Sequence, residues 1–213
     1  SQLVNKQGIK YGLGSSGAYA VLKTKSENSY LSDEEIFLKA LYYSRTKQPK
    51  NSGADVAAST FGGLLYYQNG SLPKRITFPS EWRLLVGWTG HPAITSKLVE
   101  ENKLKKSFIE RSDQIVSSMA QAIVNRDFQE FQKQIIAAEQ NLELLKGVMT
   151  SKIDNAIKIA KKMGVAAKIS GAGAGDNVIS FCRDKKIEEK IKAEWKKAGI
   201  ISLDLHMYFG NER

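Results

Sequence analysis

Apolar residues recur at spacings of three and four through Phe128, Phe131, Ile135, Ala138, Leu142 and Leu145. That period gathers them on one face and predicts an amphipathic helix with its apolar side turned to a core. Ile153, Ala156, Ile157, Ala160 and Met163 repeat the pattern until Gly164 stops it. The stretch from about residue 93 to 164 therefore reads as helical, its stripes serving packing. Ser32 and Glu35 have the spacing of a capping box and predict a helix from there to about residue 43. A polar, basic loop over 44–51 and a short helix over 52–60 follow. Apolar runs at 61–67, 83–88, 177–182 and about 200–208 read as strands, and 185–198 reads as a helix. Residues 1–11 read as a strand pair turning at Gly8, and a helix is expected from about Ala18. Strands and helices interleave without strict alternation, which predicts an α+β fold.

Two glycine-rich loops interrupt this pattern. The first, Lys10-Tyr-Gly-Leu-Gly-Ser-Ser-Gly-Ala18, places three glycines and two serines ahead of an apolar run. Glycine lets backbone N–H groups turn toward one point, and a helix N-terminus adds its positive dipole end there. The serine hydroxyls can donate further hydrogen bonds or ligate Mg²⁺. The arrangement suits a polyphosphate; the plain alternative is a Gly/Ser turn before a helix. Lys10 can reach a phosphate as a point charge, or it is a solvent-facing strand lysine. In Ser52-Gly-Ala-Asp55 the small residues leave space beside a carboxylate, as a site admitting substrate requires; a capping or first-turn aspartate is the alternative. The second loop, Ser170-Gly-Ala-Gly-Ala-Gly-Asp176, alternates glycine with alanine, which is unusual for a mere flexible hairpin.

Composition narrows the classes. A chain of 213 residues with 42% hydrophobic and 25% charged content can bury a sizeable core. No apolar run reaches the ~18 residues of a membrane span, and no signal peptide is visible at the start. The first residue is not Met, consistent with an upstream portion being absent. Cys182 is the one cysteine, which excludes an internal disulfide and fits a cytoplasmic location. Its apolar setting reads as a buried, inert thiol. The net charge of +10 can attract nucleic acid, anionic membrane or phosphorylated metabolites. The lysines are dispersed and no aromatic-rich basic stripe exists, so neither nucleic acid nor membrane is expected as a partner. Arg45, Lys47 and Lys50 could gather a multiply charged substrate, and His91 reads as an exposed turn histidine.

Taken in order, the glycine loop, Ser-Gly-Ala-Asp-Val-Ala-Ala-Ser and Lys-Ile-Ser-Gly-Ala-Gly-Ala-Gly-Asp resemble the GHMP family of small-molecule kinases. Val86-Gly-Trp-Thr-Gly-His-Pro-Ala-Ile-Thr95 and the lysine before the first loop look most like the branch of bacterial phosphomevalonate kinases. The resemblance implies a GHMP kinase fold, with a ribosomal S5 domain 2-like N-terminal lobe, incomplete here, over 1–80. A ferredoxin-like C-terminal lobe over 81–213 follows, with the site between the lobes. It implies transfer of the ATP γ-phosphoryl group onto the phosphate of the small-molecule substrate phosphomevalonate.

By the same resemblance, Gly12, Leu13, Gly14, Ser15, Ser16 and Gly17 bind the ATP phosphates, and Ser16 is the candidate Mg²⁺ ligand. Lys10 and Asp55 are the implied catalytic pair. Ser52, Ser170, Gly171, Ala172 and Gly173 would bind the acceptor. The family's first motif has no counterpart, so this chain alone is expected to bind ATP weakly. Other members, mevalonate and homoserine kinases or diphosphomevalonate decarboxylase, are alternatives, as is a catalytically silent homologue. A basic RNA-binding module is the alternative from another class; it predicts affinity falling steeply with salt and no nucleotide requirement.

Overall fold

The computed structural model describes residues 3–92, 98, 102, 104–171 and 173–205. The chain divides into two compact units: Leu13–Phe78, and Pro79–Leu205 together with the segment ending at Gly12.

In the smaller unit, helices α1 (Ser15–Glu27), α2 (Asp33–Lys47) and α3 (Ala54–Phe61) pack on one another and precede a hairpin of β1 (Leu64–Tyr66) and β2 (Lys74–Ile76). Ala20 and Val21 of α1, Ile36, Phe37, Ala40 and Leu41 of α2, and Val56 and Ala57 of α3 form its core. The expected capping box is present. Ser32 Oγ accepts from the Glu35 N–H at 3.3 Å, and the Ser32 N–H donates to Glu35 Oε2 at 2.9 Å.

Three expectations shift here. Helix α1 starts at Ser15, not near Ala18, because Gly14 at φ 74° turns the chain straight into it. Helix α2 runs on to Lys47, so Ser44–Lys47 form its last turn, with Ser44 buried on the inner face. Phe61 ends α3, and the left-handed pair Gly62 and Gly63 delays the strand to Leu64. Strand β2 went unread because Lys-Arg-Ile is too short and polar to show a period.

The larger unit runs β3 (Arg83–Trp88), α4 (Lys106–Val124), α5 (Phe128–Leu142), α6 (Ser151–Lys162), β4 (Ala167–Ser170), β5 (Asn177–Cys182), α7 (Lys185–Lys197) and β6 (Ile201–Leu203). Its four strands are antiparallel in the order β4-β5-β3-β6, the ferredoxin-like arrangement. Strands β3 and β5 pair from Arg83↔Cys182 to Trp88↔Asn177. Leu85, Val178 and Ile169 face α6 and α7 in a core with Ile153, Ala156, Ile191 and Trp195. Gly87 makes that packing possible: a Cβ there would stand 2.9 Å from the Trp195 ring. Trp195 Nε1 donates to the Ala156 carbonyl at 3.0 Å.

Helix α5 lies along the edge strand β4. Glu139 Oε2 accepts from the Ile169 N–H at 2.6 Å, and Gln132 Oε1 accepts from the Ala166 N–H at 2.6 Å.

Among the described residues from 104 on, the long helical stretch divides into three helices, broken by the left-handed Arg126 and by residues 143–150; residues 93–97, 99–101 and 103 lie outside the described set. Leu145 falls after α5 yet still packs on the core. The expected N-terminal strand pair reduces to one bridge, Val4↔Lys10, around a turn in which Asn5 Oδ1 accepts from the Gln7 and Ile9 N–H groups. The last strand covers Ile201–Leu203, and positions 206–208 lie outside the described residues. Among the described residues no helix is long and apolar enough to cross a membrane.

Candidate functional site

Gly14 is the N-cap of α1; its carbonyl accepts from the Ala18 N–H at 3.0 Å, and no side chain caps the helix. The first-turn N–H groups of Ser15, Ser16 and Gly17 therefore head a helix whose positive end receives no side-chain capping hydrogen bond among the described residues. Gly17 is buried and Ser16 exposed.

Helix α3 brings Asp55 to this end of α1. Gly53 at φ 90° is its N-cap and Asp55 its first-turn acid. A Cβ on Gly17 would lie 2.7 Å from both the Asp55 backbone carbonyl carbon and Oδ2, and one on Gly14 would lie 3.3 Å from Asp55 Cβ. The glycines thus let the two first turns touch, and the Asp55 carboxylate sits beside the start of α1. Sequence reading paired these segments only through resemblance; within this unit the geometry pairs them directly.

The turn that carries Ser52 is tightly held. The Ser52 carbonyl accepts from Tyr67 Oη at 2.8 Å, and the Gly53 N–H donates to Asn51 Oδ1 at 2.6 Å. Asn51 Nδ2 donates to Ser44 Oγ at 2.9 Å. Arg45 donates through Nε to the Asn51 carbonyl at 3.2 Å and through a terminal nitrogen to Asn69 Oδ1 at 2.6 Å. Arg45 thereby buttresses this turn, and since both acceptors are neutral it keeps its positive charge. Tyr67 was missed: burial pushes its phenol up, the Asp55 charge adding to the effect and Arg45 opposing it. Only its place at the end of an apolar run could have hinted at a site role.

The larger unit carries Lys10, Gly12 and the second loop. Lys10 is exposed at the Val4 bridge. Ser170 faces Asn177 across the mouth of the β4–β5 hairpin. Gly171, Gly173, Ala174, Gly175 and Asp176 all have positive φ, a run that turns successive peptide groups out of the strand path. Gly173 lies on Val148, where a Cβ would stand 2.7 Å from the carbonyl oxygen, and that oxygen accepts from the Ala174 N–H at 2.6 Å. Ala172 lies outside the described residues.

Asp176 was also missed. It is buried at φ 52°, with its carboxylate against Gly12: a Cβ on Gly12 would stand 2.5 Å from Asp176 Cγ.

Two titratable side chains, the buried Glu139 and the half-buried Lys168, lie at β4. Burial pushes the Glu139 carboxyl up, the Ile169 N–H and Lys168 opposing it. Burial likewise pushes the Lys168 ammonium down, opposed by Glu139, and Lys168 donates to the Ile169 carbonyl. Burial also raises the Cys182 thiol, as its inert reading requires.

Among the described residues no three His, Cys, Asp or Glu side chains cluster to hold a metal. Mg²⁺ keeps several waters and phosphate oxygens and takes only one or two protein oxygens, so it needs no such cluster. In the smaller unit, Ser16 Oγ at the start of α1 and the Asp55 carboxylate at the start of α3 are candidate protein oxygens for a cation.

Residues 4–63 match the GHMP kinases N terminal domain and residues 119–201 match GHMP kinases C terminal. The chain is similar to the phosphomevalonate kinase of Streptomyces sp. strain CL190, with 30% identity over 96% of this chain and 66% of the relative. It is similar to the mevalonate kinase of Thermococcus sibiricus, with 28% identity over 83% of this chain and 58% of the relative. The chain thus spans two thirds or less of the length of these curated relatives. Its fold superposes on Streptococcus pneumoniae phosphomevalonate kinase in complex with phosphomevalonate and AMPPNP. The TM-score is 0.90 at 23% identity, covering 97% of this chain and 72% of that one.

Proposed function

The chain belongs to the GHMP kinase family, and from that premise we propose that it serves a mevalonate-pathway phosphotransferase that moves the ATP γ-phosphoryl group onto the phosphate of phosphomevalonate. One observation carries the reading: the Asp55 carboxylate lies beside Gly17 at the uncapped start of α1. An N–H-rich, positively polarised helix end with an adjacent carboxylate supports recognition of an anion and of the cation that accompanies it. Mg²⁺, when bound, neutralises charge on the phosphates. Gly12, Leu13, Gly14, Ser15, Ser16 and Gly17 cradle the nucleotide phosphates, and Ser16 and Asp55 hold the cation. Lys10 supplies a point charge to the transferring group. Ser52, Ser170, Gly171, Ala172 and Gly173 hold the acceptor.

A phosphate acceptor is already ionised near neutral pH, its second pKa being about 6. Asp55 therefore works by orientation rather than by removing a proton, and charge neutralisation with alignment does the rest. Lys10 and the Trp88-Thr-Gly turn favour the phosphorylated acceptor; a 28% match to mevalonate kinase supports mevalonate as the second reading. The test is a product assay with Mg·ATP and, in parallel, phosphomevalonate, mevalonate and homoserine. Formation of the diphosphate from phosphomevalonate alone supports the proposal. Turnover of mevalonate alone replaces it with the second reading, and homoserine turnover or salt-sensitive RNA binding without nucleotide overturns both.

A further inference from the structure

We propose that Asn177 and Asp176 are positioning residues for Lys10 and Gly12: the foot of the second glycine loop clamps the backbone that delivers the first. The inference deepens the phosphotransfer reading, since it concerns how the lysine and first glycine of the phosphate loop are held. Lysine side chains are flexible, so what fixes the reach of Lys10 is the backbone beside it.

That backbone is gripped at three points. Asn177 Nδ2 donates to the Tyr11 carbonyl at 2.7 Å. The Tyr11 ring stands edge-on to Trp88, with centroids 5.1 Å apart and planes at 84°. Gly12 closes on the Asp176 carboxylate so tightly that no Cβ fits.

The gripping residues are themselves rigid. Asn177 is 2% exposed and in register with Trp88 on one side and Ser170 on the other. Asp176 is locked by its backbone, its N–H donating to the His91 carbonyl at 2.7 Å and its carbonyl accepting from the Thr89 N–H at 2.9 Å. Asn177 Oδ1 is buried with no hydrogen-bond partner, so the amide is kept for its NH₂ despite an orphaned acceptor. An apolar residue would leave the Tyr11 carbonyl unpaired, and aspartate would set oxygen against oxygen.

The experiment compares wild type with Asn177→Ala, Asn177→Asp and, as a control for the acceptor loop, Ser170→Ala. Hydrogen exchange over Tyr11–Gly14 should quicken about tenfold in both Asn177 variants, the measure of one lost hydrogen bond to a half-buried carbonyl. Exchange in β3 and β5 should stay at the wild-type rate. In turnover, the Asn177 variants should raise the KM for ATP about tenfold with the acceptor KM within about twofold, and Ser170→Ala should do the reverse. Loss of folded protein would lower kcat alone and move neither KM. Unchanged exchange at Tyr11–Gly14 in folded Asn177→Ala overturns the clamp. So does a wild-type KM for ATP in that variant. If wild type turns over no substrate, the phosphotransfer reading fails, and the exchange result still decides the clamp.

Discussion

Replacing Gly17 by alanine separates packing from helix propensity. Gly17 lies in the first turn of α1 with helical rather than left-handed backbone, so propensity alone predicts a gain of about 1 kcal/mol for alanine. The new methyl, however, would stand 2.7 Å from the Asp55 carbonyl carbon and Oδ2 and 2.8 Å from Cγ. Reaching ordinary contact requires the first turns of α1 and α3 to part by about 0.7 Å. One obstructing atom is backbone, which cannot rotate away. Overpacking of this kind costs about 1–3 kcal/mol, so the net expectation is a loss of up to about 2 kcal/mol. At this chain length that lowers Tm by up to roughly 8 °C, read by thermal and urea unfolding. Because the displaced group is the Asp55 carboxylate, phosphotransfer should fall about tenfold or more. Gly8→Ala is the companion: φ is 78° with nothing within 4 Å, so only backbone strain of about 1 kcal/mol is expected. A Gly17→Ala protein about 1 kcal/mol more stable than wild type, with undiminished activity, would refute the close approach of the two turns.

Other substitutions test other joints. Ser32→Ala removes the capping box of α2 and should cost about 1 kcal/mol in urea unfolding. Trp195→Phe removes the indole bond to Ala156 and should cost about 1–3 kcal/mol. Asp55→Asn should lower kcat at least tenfold by disturbing the orientation of acceptor or cation; a loss of only a few-fold with Mg²⁺ binding intact would exclude both roles. Glu139 carries a pH signature. Its folded carboxyl is raised above the ordinary 4.5, so the stability it contributes is full below that value and lost as pH rises through the raised one. Relative to Glu139→Gln, wild type should weaken across that window, and a difference independent of pH would sink the assignment.

The sequence carried the elements whose signals are local. The α5 and α6 stripes, the Ser32 box and the β5 run appear where periodicity and capping put them. What escaped was set by tertiary contact. Strands β2 and β4 are three and four residues long, too brief for a period to register. Helix α2 outlasted its expected end because Ser44 is buried, which polarity alone does not reveal. At the site, Asp55 and the glycine loop were legible as motifs, but Tyr67, Asp176 and Asn177 act through partners 15 to 166 positions away in sequence. Arg45, legible only as positive charge, also donates hydrogen bonds to Asn51 and Asn69.

The side chains that α5 lays along β4 have a consequence for how this protein behaves in a crowd. A bare sheet margin invites a foreign strand to dock by backbone pairing, the first step of many unwanted assemblies. Here Gln132 and Glu139 occupy that margin in advance, so a stranger would have to evict a buried carboxylate before its first hydrogen bond could form. The helix that packs along β4, the strand leading into the second glycine loop, also acts as a stopper against fibril-like growth on that side of the sheet.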